Sequence, residues 1–385
     1  MENAPLKLVY VTPAIYSAGG VERVVTVKAN YFVEVLGYDV TIIVTEGKGR
    51  SSFFPLSDRV HVVNFELGFE ELWNVAFCKK TYLYLKKIRK YKRLLRAELL
   101  RIRPDITIST LRREINFIND IKDGSKKIGE LHVNRANYRS VKTEKSSLIK
   151  KMFARFWSDS LVSHLKKLDG FVVLTEKDKE AWTELDQVEV IPDPIPFVPT
   201  TFSQLTEKRV LAVTRYSYEK GIDLLLEAWA QVEKQTEEWR LDVYGNGDTT
   251  AFNALIDKLG IDRNRCQLHG YTCDVEKEYT NSSIFVCSSR FEGFGMVIVE
   301  AMACGLPVVS FDCPWGPRSI INDHEYGILV EKDNPTALAQ GILSLVNDAA
   351  LRMTLSGAAK RNVQSYKMEY IAAQWNRLFE DIQHK

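Results

Sequence analysis

Between residues 192 and 199 the chain carries four prolines, in the run Ile191-Pro192-Asp193-Pro194-Ile195-Pro196-Phe197-Val198-Pro199. Proline has no amide hydrogen to give a ladder, and its ring clashes with a preceding helical turn, so this stretch reads as a stiff extended linker. It divides 385 residues into two halves, each long enough to bury its own core. The same pattern runs on both sides of it. Before the linker, residues 6–12, 38–44, 106–109, 127–131 and 171–174 are short apolar strands, and a helix over about 21–36 is ended by Gly37. After it come strands at 210–213, 240–244, 283–287 and 307–310, with a helix over 222–234. Two β-α-β series predict an α/β protein of two doubly wound parallel-sheet (Rossmann-like) domains, 1–194 and 195–367, with a cleft between them as the expected site.

The segment from Arg290 to Val309, RFEGFGMVIVEAMACGLPVV, is the most informative about chemistry. Glu292 and Glu300 are eight residues apart around the start of a helix. Gly293 and Gly295 mark the junction of loop and helix, where backbone amides lack intrahelical partners and face an anion readily. Glu300 falls about five residues inside, roughly 7–8 Å along the axis. That spacing suits a nucleotide sugar, with phosphates at the helix mouth, ribose on the inner carboxylate and sugar near the outer one. An ordinary buried helix with two acids is the alternative, and the other motifs decide against it. Gly19-Gly20 precede a helix after the first strand, so backbone there can approach a reacting group closely. Arg215 and Lys220, in a loop ending at Gly221, can bring a fork and a point charge onto one diphosphate. His132, in Glu130-Leu131-His132-Val133-Asn134, follows a strand; a lone histidine is more often structural.

These motifs, Gly19-Gly20-Val21-Glu22, His132, Arg215…Lys220-Gly221, Gly245-Asn246-Gly247 and Glu292…Glu300, occur in an order that resembles retaining glycosyltransferases of family 4, with the GT-B fold. The chain looks most like bacterial enzymes that build capsule, exopolysaccharide or O-antigen. The resemblance implies an acceptor-side domain over 1–194, with a last helix in 368–385 packing back on it, and a donor domain over 195–367. It implies catalytic roles for Arg215, Lys220, Glu292 and His132. Donor binding would fall to Gly19, Gly20, Gly245, Gly293, Phe294, Gly295 and Glu300. The implied reaction moves a hexose or N-acetylhexosamine from a nucleotide-diphosphate sugar to a saccharide acceptor with retention, the departing phosphate taking the acceptor's proton. A non-catalytic binding module and a nucleotide-sugar epimerase are the alternatives. His324 departs from the glycine that relatives often carry in that turn.

Other classes are disfavoured by what the sequence lacks. There is no G-x-G-x-x-G before the first helix, so a dinucleotide fold with Glu46 on the ribose is set aside. There is no D-x-D triplet to hold a divalent ion on a diphosphate, so no metal and no cofactor are expected. Six cysteines show no metal-ligand spacing and suggest a reducing cytoplasm. Residues 1–8 lack the features of a signal peptide, and no run approaches 18 apolar residues.

The net charge of +2 hides a strongly basic segment over 79–103, with Glu98 its one acid. Tyr84, Ile88, Tyr91, Leu95, Leu99 and Ile102 share one helical stripe, while Lys86, Arg89, Lys90 and Arg93 share the opposite face. Residues 142–167 add a second basic stretch. Attraction to an anionic membrane surface, with a lipid-linked acceptor at the inner face of the cell membrane, is the functional reading. A solvated helix face is the plain one. No nucleic-acid-binding motif accompanies the charge.

Overall fold

The computed structural model describes residues 4–74, 76–138, 159–313, 315–322 and 325–384; most of the basic stretch over 142–167, and His324, lie outside them. The chain divides into two units, residues 1–194 with 368–385 and residues 195–367.

The first unit holds one parallel sheet of seven strands, ordered β3-β2-β1-β4-β5-β6-β7. They are β1 (Lys7–Thr12), β2 (Asp39–Val44), β3 (His61–Asn64), β4 (Ile106–Ser109), β5 (Lys126–Glu130), β6 (Gly170–Val173) and β7 (Val188–Val190). Strand β1 shows why both faces must be covered. Leu8 and Tyr10 point into a core with helix α1 (Gly20–Glu34) and the terminal helix Met368–Gln383, through Phe32, Ile371, Trp375 and Phe379. Val9 and Val11 point the other way, against Tyr91, Leu95 and Leu99 of helix α2 (Phe77–Ile102). Period-2 alternation of side chains thus feeds two helical layers from one strand. Phe32 meets Phe379 edge to face at 6.0 Å, and the Tyr38 hydroxyl donates to Asn376 Oδ1 at 2.9 Å, so the last helix is part of this unit's core.

The second unit repeats the plan with six parallel strands ordered β10-β9-β8-β11-β12-β13. These are β8 (Arg209–Val213), β9 (Arg240–Tyr244), β10 (Cys266–His269), β11 (Ile284–Cys287), β12 (Val308–Phe311) and β13 (Ile328–Val330). Trp229, Leu225 and Leu226 of helix α3 (Ile222–Glu233) are fully buried against Val210, Ala212 and Val243. In both sheets the order reverses beside the first strand, between β1 and β4 and between β8 and β11. Ligands of doubly wound sheets bind outside the carboxyl ends of strands at that reversal.

Helix α2 buries Tyr91, Leu95 and Leu99, while Lys86, Arg89, Lys90 and Arg93 are exposed. Lys87 and Lys92 of the same helix are engaged instead, Lys87 on the Gly68 carbonyl at 2.8 Å and Lys92 on Asp120 at 2.6 Å. Among the described residues no helix is long and apolar enough to cross a membrane. The five described cysteines are free, and four of them are buried.

Candidate functional site

In the second unit the chain leaves β8 and β11 at the sheet's reversal, and the two loops close on each other backbone to backbone. A Cβ at Gly221, where φ is +61°, would lie 2.1 Å from the Ser288 carbonyl oxygen. One at Gly245 would lie 1.5 Å from the Thr214 oxygen. Only glycine allows both approaches. A small cavity results, lined by Thr214, Lys220, Ser288, Ser289, Glu292 and Val297.

Lys220 and Glu292 meet there. Lys220 Nζ donates to Glu292 Oε1 at 2.5 Å, and the Ser289 hydroxyl donates to the same oxygen at 2.6 Å. The Ser288 hydroxyl donates to the Lys220 carbonyl at 2.9 Å and fixes the turn. Burial alone would depress the Lys220 ammonium; the Glu292 charge and hydrogen bond outweigh it and hold its pKa above the usual value. Burial pushes the neighbouring Cys287 thiol up, and Glu292 adds to it, so that sulfur stays protonated.

Helix α4 (Met296–Ala303) starts from Gly295, whose φ of +106° favours glycine. Glu300 is its fifth residue and is buried, its Oε2 accepting the Tyr279 hydroxyl at 2.9 Å. Phe294 is also buried, its ring 5.6 Å from that of Tyr366, so its side chain packs in the core. Arg215 stands apart from Lys220 in environment: its side chain is 67% exposed and reaches Glu219 at 3.3 Å. The sequence picked out the two glutamates and Lys220 but not Ser288 and Ser289, which hold Lys220 and Glu292. Their signal was position, two hydroxyls immediately after an apolar strand.

In the first unit, Gly19 caps α1 and is folded over by Glu22, whose carboxylate would clash with a Cβ there at 2.0 Å. The Ser17 hydroxyl donates to Glu22 Oε1 at 2.7 Å, and Gly20 has open space at its Cα. His132 lies between two acids, Nε2 at 3.4 Å from Glu130 and Nδ1 at 3.4 Å from Asp193. Its side chain is 5% exposed, so it is part of a buried charge cluster. Lys28 completes the cluster, pairing with Glu130 and lying 4.6 Å from the Trp375 ring centre. Burial opposes the imidazolium, but Glu130 and Asp193 outweigh it and raise the His132 pKa. Among the described residues, Glu130, His132 and Asp193 are the acid and histidine group whose ligand atoms converge, within 4.8 Å. The Lys28 ammonium already supplies positive charge there.

Residues 199–362 match the family model described as glycosyl transferases group 1. An uncharacterized glycosyltransferase of Haemophilus influenzae is 27% identical over 94% of this chain and 96% of its own. The poly(ribitol-phosphate) alpha-N-acetylglucosaminyltransferase of Staphylococcus aureus is 33% identical over 57% of this chain, which spans only 45% of that protein. Among solved structures, the sucrose-phosphate synthase of Thermosynechococcus elongatus superposes with a TM-score of 0.79 at 19% identity, covering 98% of this chain and 99% of its own. Residues 199–362 are thus similar to group 1 glycosyl transferases, and the chain has the GT-B fold.

Proposed function

We propose that the chain is a retaining transferase of family 4 that moves a hexose or N-acetylhexosamine from a nucleotide-diphosphate sugar to a saccharide acceptor. The observation that carries this reading is the Lys220–Glu292 pair at the sheet's reversal, backed by Glu300 one helix turn and more beyond it. Lys220 would give its charge to the diphosphate as the leaving group forms, with exposed Arg215 swinging in as a second cation. Glu292, held by Ser289, would orient donor hydroxyls, and Glu300, held by Tyr279, the ribose. Gly245, Gly293 and Gly295 would let backbone approach the donor, the free amides of α4 facing its phosphates. Gly19, Gly20 and His132 would serve the reacting sugar from the first unit. The S. aureus relative's name specifies an α-linked N-acetylglucosamine on a phosphate polymer. An α product from an α-linked donor is what retention gives, and it supports surface-polysaccharide or teichoic-acid synthesis here. Neither metal nor cofactor enters this reading.

The exposed Lys86, Arg89, Lys90 and Arg93 support a peripheral position at the inner membrane face with a lipid-linked acceptor. A panel of nucleotide sugars tests the core claim: the protein hydrolyses or transfers from one of them without added divalent ion. No turnover with any donor, in a folded protein, overturns it.

A further inference from the structure

Lys220 and Glu292 come from two loops, and one residue ties those loops together. Arg290 lies two positions before Glu292, in the loop after β11. Its backbone amide donates to the Glu219 carbonyl at 2.9 Å. Its guanidinium reaches further along the same segment. One terminal nitrogen donates to the Tyr218 carbonyl at 2.7 Å and to Asp223 Oδ1 at 2.9 Å, and the other to Asp223 Oδ2 at 2.7 Å. The residues it grips, Tyr218, Glu219 and Asp223, bracket Lys220 on both sides. The guanidinium carbon also stands 4.2 Å from the centre of the Tyr218 ring.

The local structure explains why a tie is needed there. Tyr218–Lys220 is a single 3-10 turn, and Gly221 follows it before α3 begins. Such a turn has poor hydrogen-bond geometry, and glycine adds backbone freedom, so the segment holds one conformation only if something outside it does the holding. Asp223 stands in the first turn of α3, a helix fixed in the core by Leu225, Leu226 and Trp229. Arg290 is therefore a strut between a packed helix and the glutamate loop. Its two parallel bonds to Asp223 give orientation as well as attraction. The side chains are 13% and 38% exposed, so solvent screens the pair only in part. Burial works against the Asp223 carboxylate, but the Arg290 hydrogen bonds and charge outweigh it and hold its pKa below the usual range.

Arg290 is poorly placed to hold a phosphate itself. Its guanidinium makes three hydrogen bonds to protein oxygens, and Asp333 Oδ1 lies 3.9 Å from Nε. A phosphate would have to displace a bidentate carboxylate. The plain alternative is an ion pair that only stabilises the fold. The placement of the bonds argues for more, because they surround the cation that lines the cavity. A shift of about 1 Å in a catalytic group can cost a factor of about 100 in rate, so a strut of this kind matters to chemistry it does not touch.

We propose that Arg290 is a positioning residue: by gripping Asp223 and the Tyr218 carbonyl it sets Lys220 against Glu292, and it touches no substrate. The proposal deepens the transferase reading and rests on it. Arg290→Lys keeps the charge but loses the fork, and Asp223→Asn keeps the shape but loses the charge. Each substitution is made in wild type and in Lys220→Ala, with thermal melting of every variant. On the nucleotide sugar that wild type turns over, each should lower kcat about ten- to a hundredfold while donor KM moves less than about threefold. In the Lys220→Ala background the same changes should lower kcat less than about threefold, because the group they place is gone. Calorimetry with UDP, ADP and GDP runs the same cycle on binding. Arg290→Lys should weaken the nucleotide that binds about three- to tenfold in wild type, and should have no effect once Lys220 is removed. Equal losses in both backgrounds mean a direct donor contact or a purely structural role, and overturn the proposal; so does wild-type kcat in both variants. Failure of the transferase reading has another signature: no nucleotide sugar is turned over, yet the binding cycle still shows the coupling. That result removes the catalytic role and leaves Arg290 as the residue that places a nucleotide-binding cation. Binding of none of the three nucleotides would overturn both readings.

Discussion

Lys220 Nζ and Glu292 Oε1 are 2.5 Å apart, so the cation proposed for the diphosphate already has a carboxylate partner. The pair is mostly buried, with side chains 17% and 11% exposed, and the Ser289 hydroxyl shares the carboxylate. A phosphate that arrives must compete with Glu292 for the ammonium. The two substitutions are therefore not mirror images. Lys220→Ala should lower kcat/KM by about 1.5–3 kcal/mol of transition-state stabilisation, the scale of one charge-assisted contact. Glu292→Gln should lower transfer as well, yet tighten binding of the nucleoside diphosphate product, because it frees Lys220. Steady-state kinetics and calorimetry check the two arms. Equal loss of product affinity in both variants contradicts the arrangement.

Glu300 reads differently, since its partner is the fully buried Tyr279. Glu300→Gln should weaken binding of the nucleoside diphosphate while leaving transfer at saturating donor less affected. Tyr279→Phe should cost about 1–3 kcal/mol of stability by removing a hydrogen bond to a buried carboxylate. Calorimetry of the first and chemical denaturation of the second give the answers. Wild-type nucleotide affinity in Glu300→Gln would make that acid structural.

His132 sets a pH dependence. Its folded pKa is raised above the unfolded value of about 6.5, so the folded state binds the proton more tightly. The stability it contributes is present in full below pH about 6.5 and fades as pH rises through the folded pKa. Melting temperature of wild type should drift down across that window, and His132→Gln should flatten the drift. A wild-type profile rising with pH there would contradict the buried imidazolium.

Gly245→Ala tests the close approach of the loop after β9 to the loop after β8. Its Cβ would sit 1.5 Å from the Thr214 oxygen, a backbone atom that a rotamer change cannot move. Backbone displacement of that kind costs about 1–3 kcal/mol or more. The variant should melt lower and lose donor turnover together; a wild-type melt with wild-type turnover contradicts the packing.

Charge reversal of Lys86, Arg89, Lys90 and Arg93 to Glu leaves Tyr91, Leu95 and Leu99 in place, so α2 should still pack. Adsorption to anionic vesicles should vanish at physiological salt, each basic residue contributing about 1 kcal/mol. Transfer to a short soluble acceptor should continue while transfer to a lipid-linked one drops. If wild type does not sediment with such vesicles even at low salt, the face is simply solvated.

The strands that sequence reading found and those it missed separate by position. It found β1, β2, β4, β5 and β6 in one sheet and β8, β9, β11 and β12 in the other, all interior strands. The four it missed, β3, β7, β10 and β13, are the four sheet edges. Interior parallel strands are covered on both faces, and β1, β2 and β11 accordingly read as near-continuous apolar runs. Edge strands meet water, as His61-Val62-Val63-Asn64 and Val188-Glu189-Val190 show in their mixed composition. The site was legible to a similar depth. Glu292 and Glu300 stood out by their spacing around a helix start, and Lys220 by its place in a loop ending at Gly221. Ser289 and Tyr279, which orient the two acids, carry no charge to attract notice, and Asp193 was read only as part of the proline linker. Arg215 and Lys220 looked alike in sequence, and only folding distinguishes the exposed cation from the buried one.

The terminal helix Met368–Gln383 supplies Ile371, Trp375 and Phe379 to a core begun by Leu8, Tyr10 and Phe32. On the ribosome, the first unit therefore emerges with one helical layer missing, and the whole second unit is synthesised before it arrives. The second unit is contiguous in sequence and meets no such delay. A nonsense mutation just before Met368 would leave the second unit intact while exposing Phe32 and Tyr10 on the first. Loss of the last few per cent of the chain would thus be felt at its beginning, as aggregation rather than as an altered donor site.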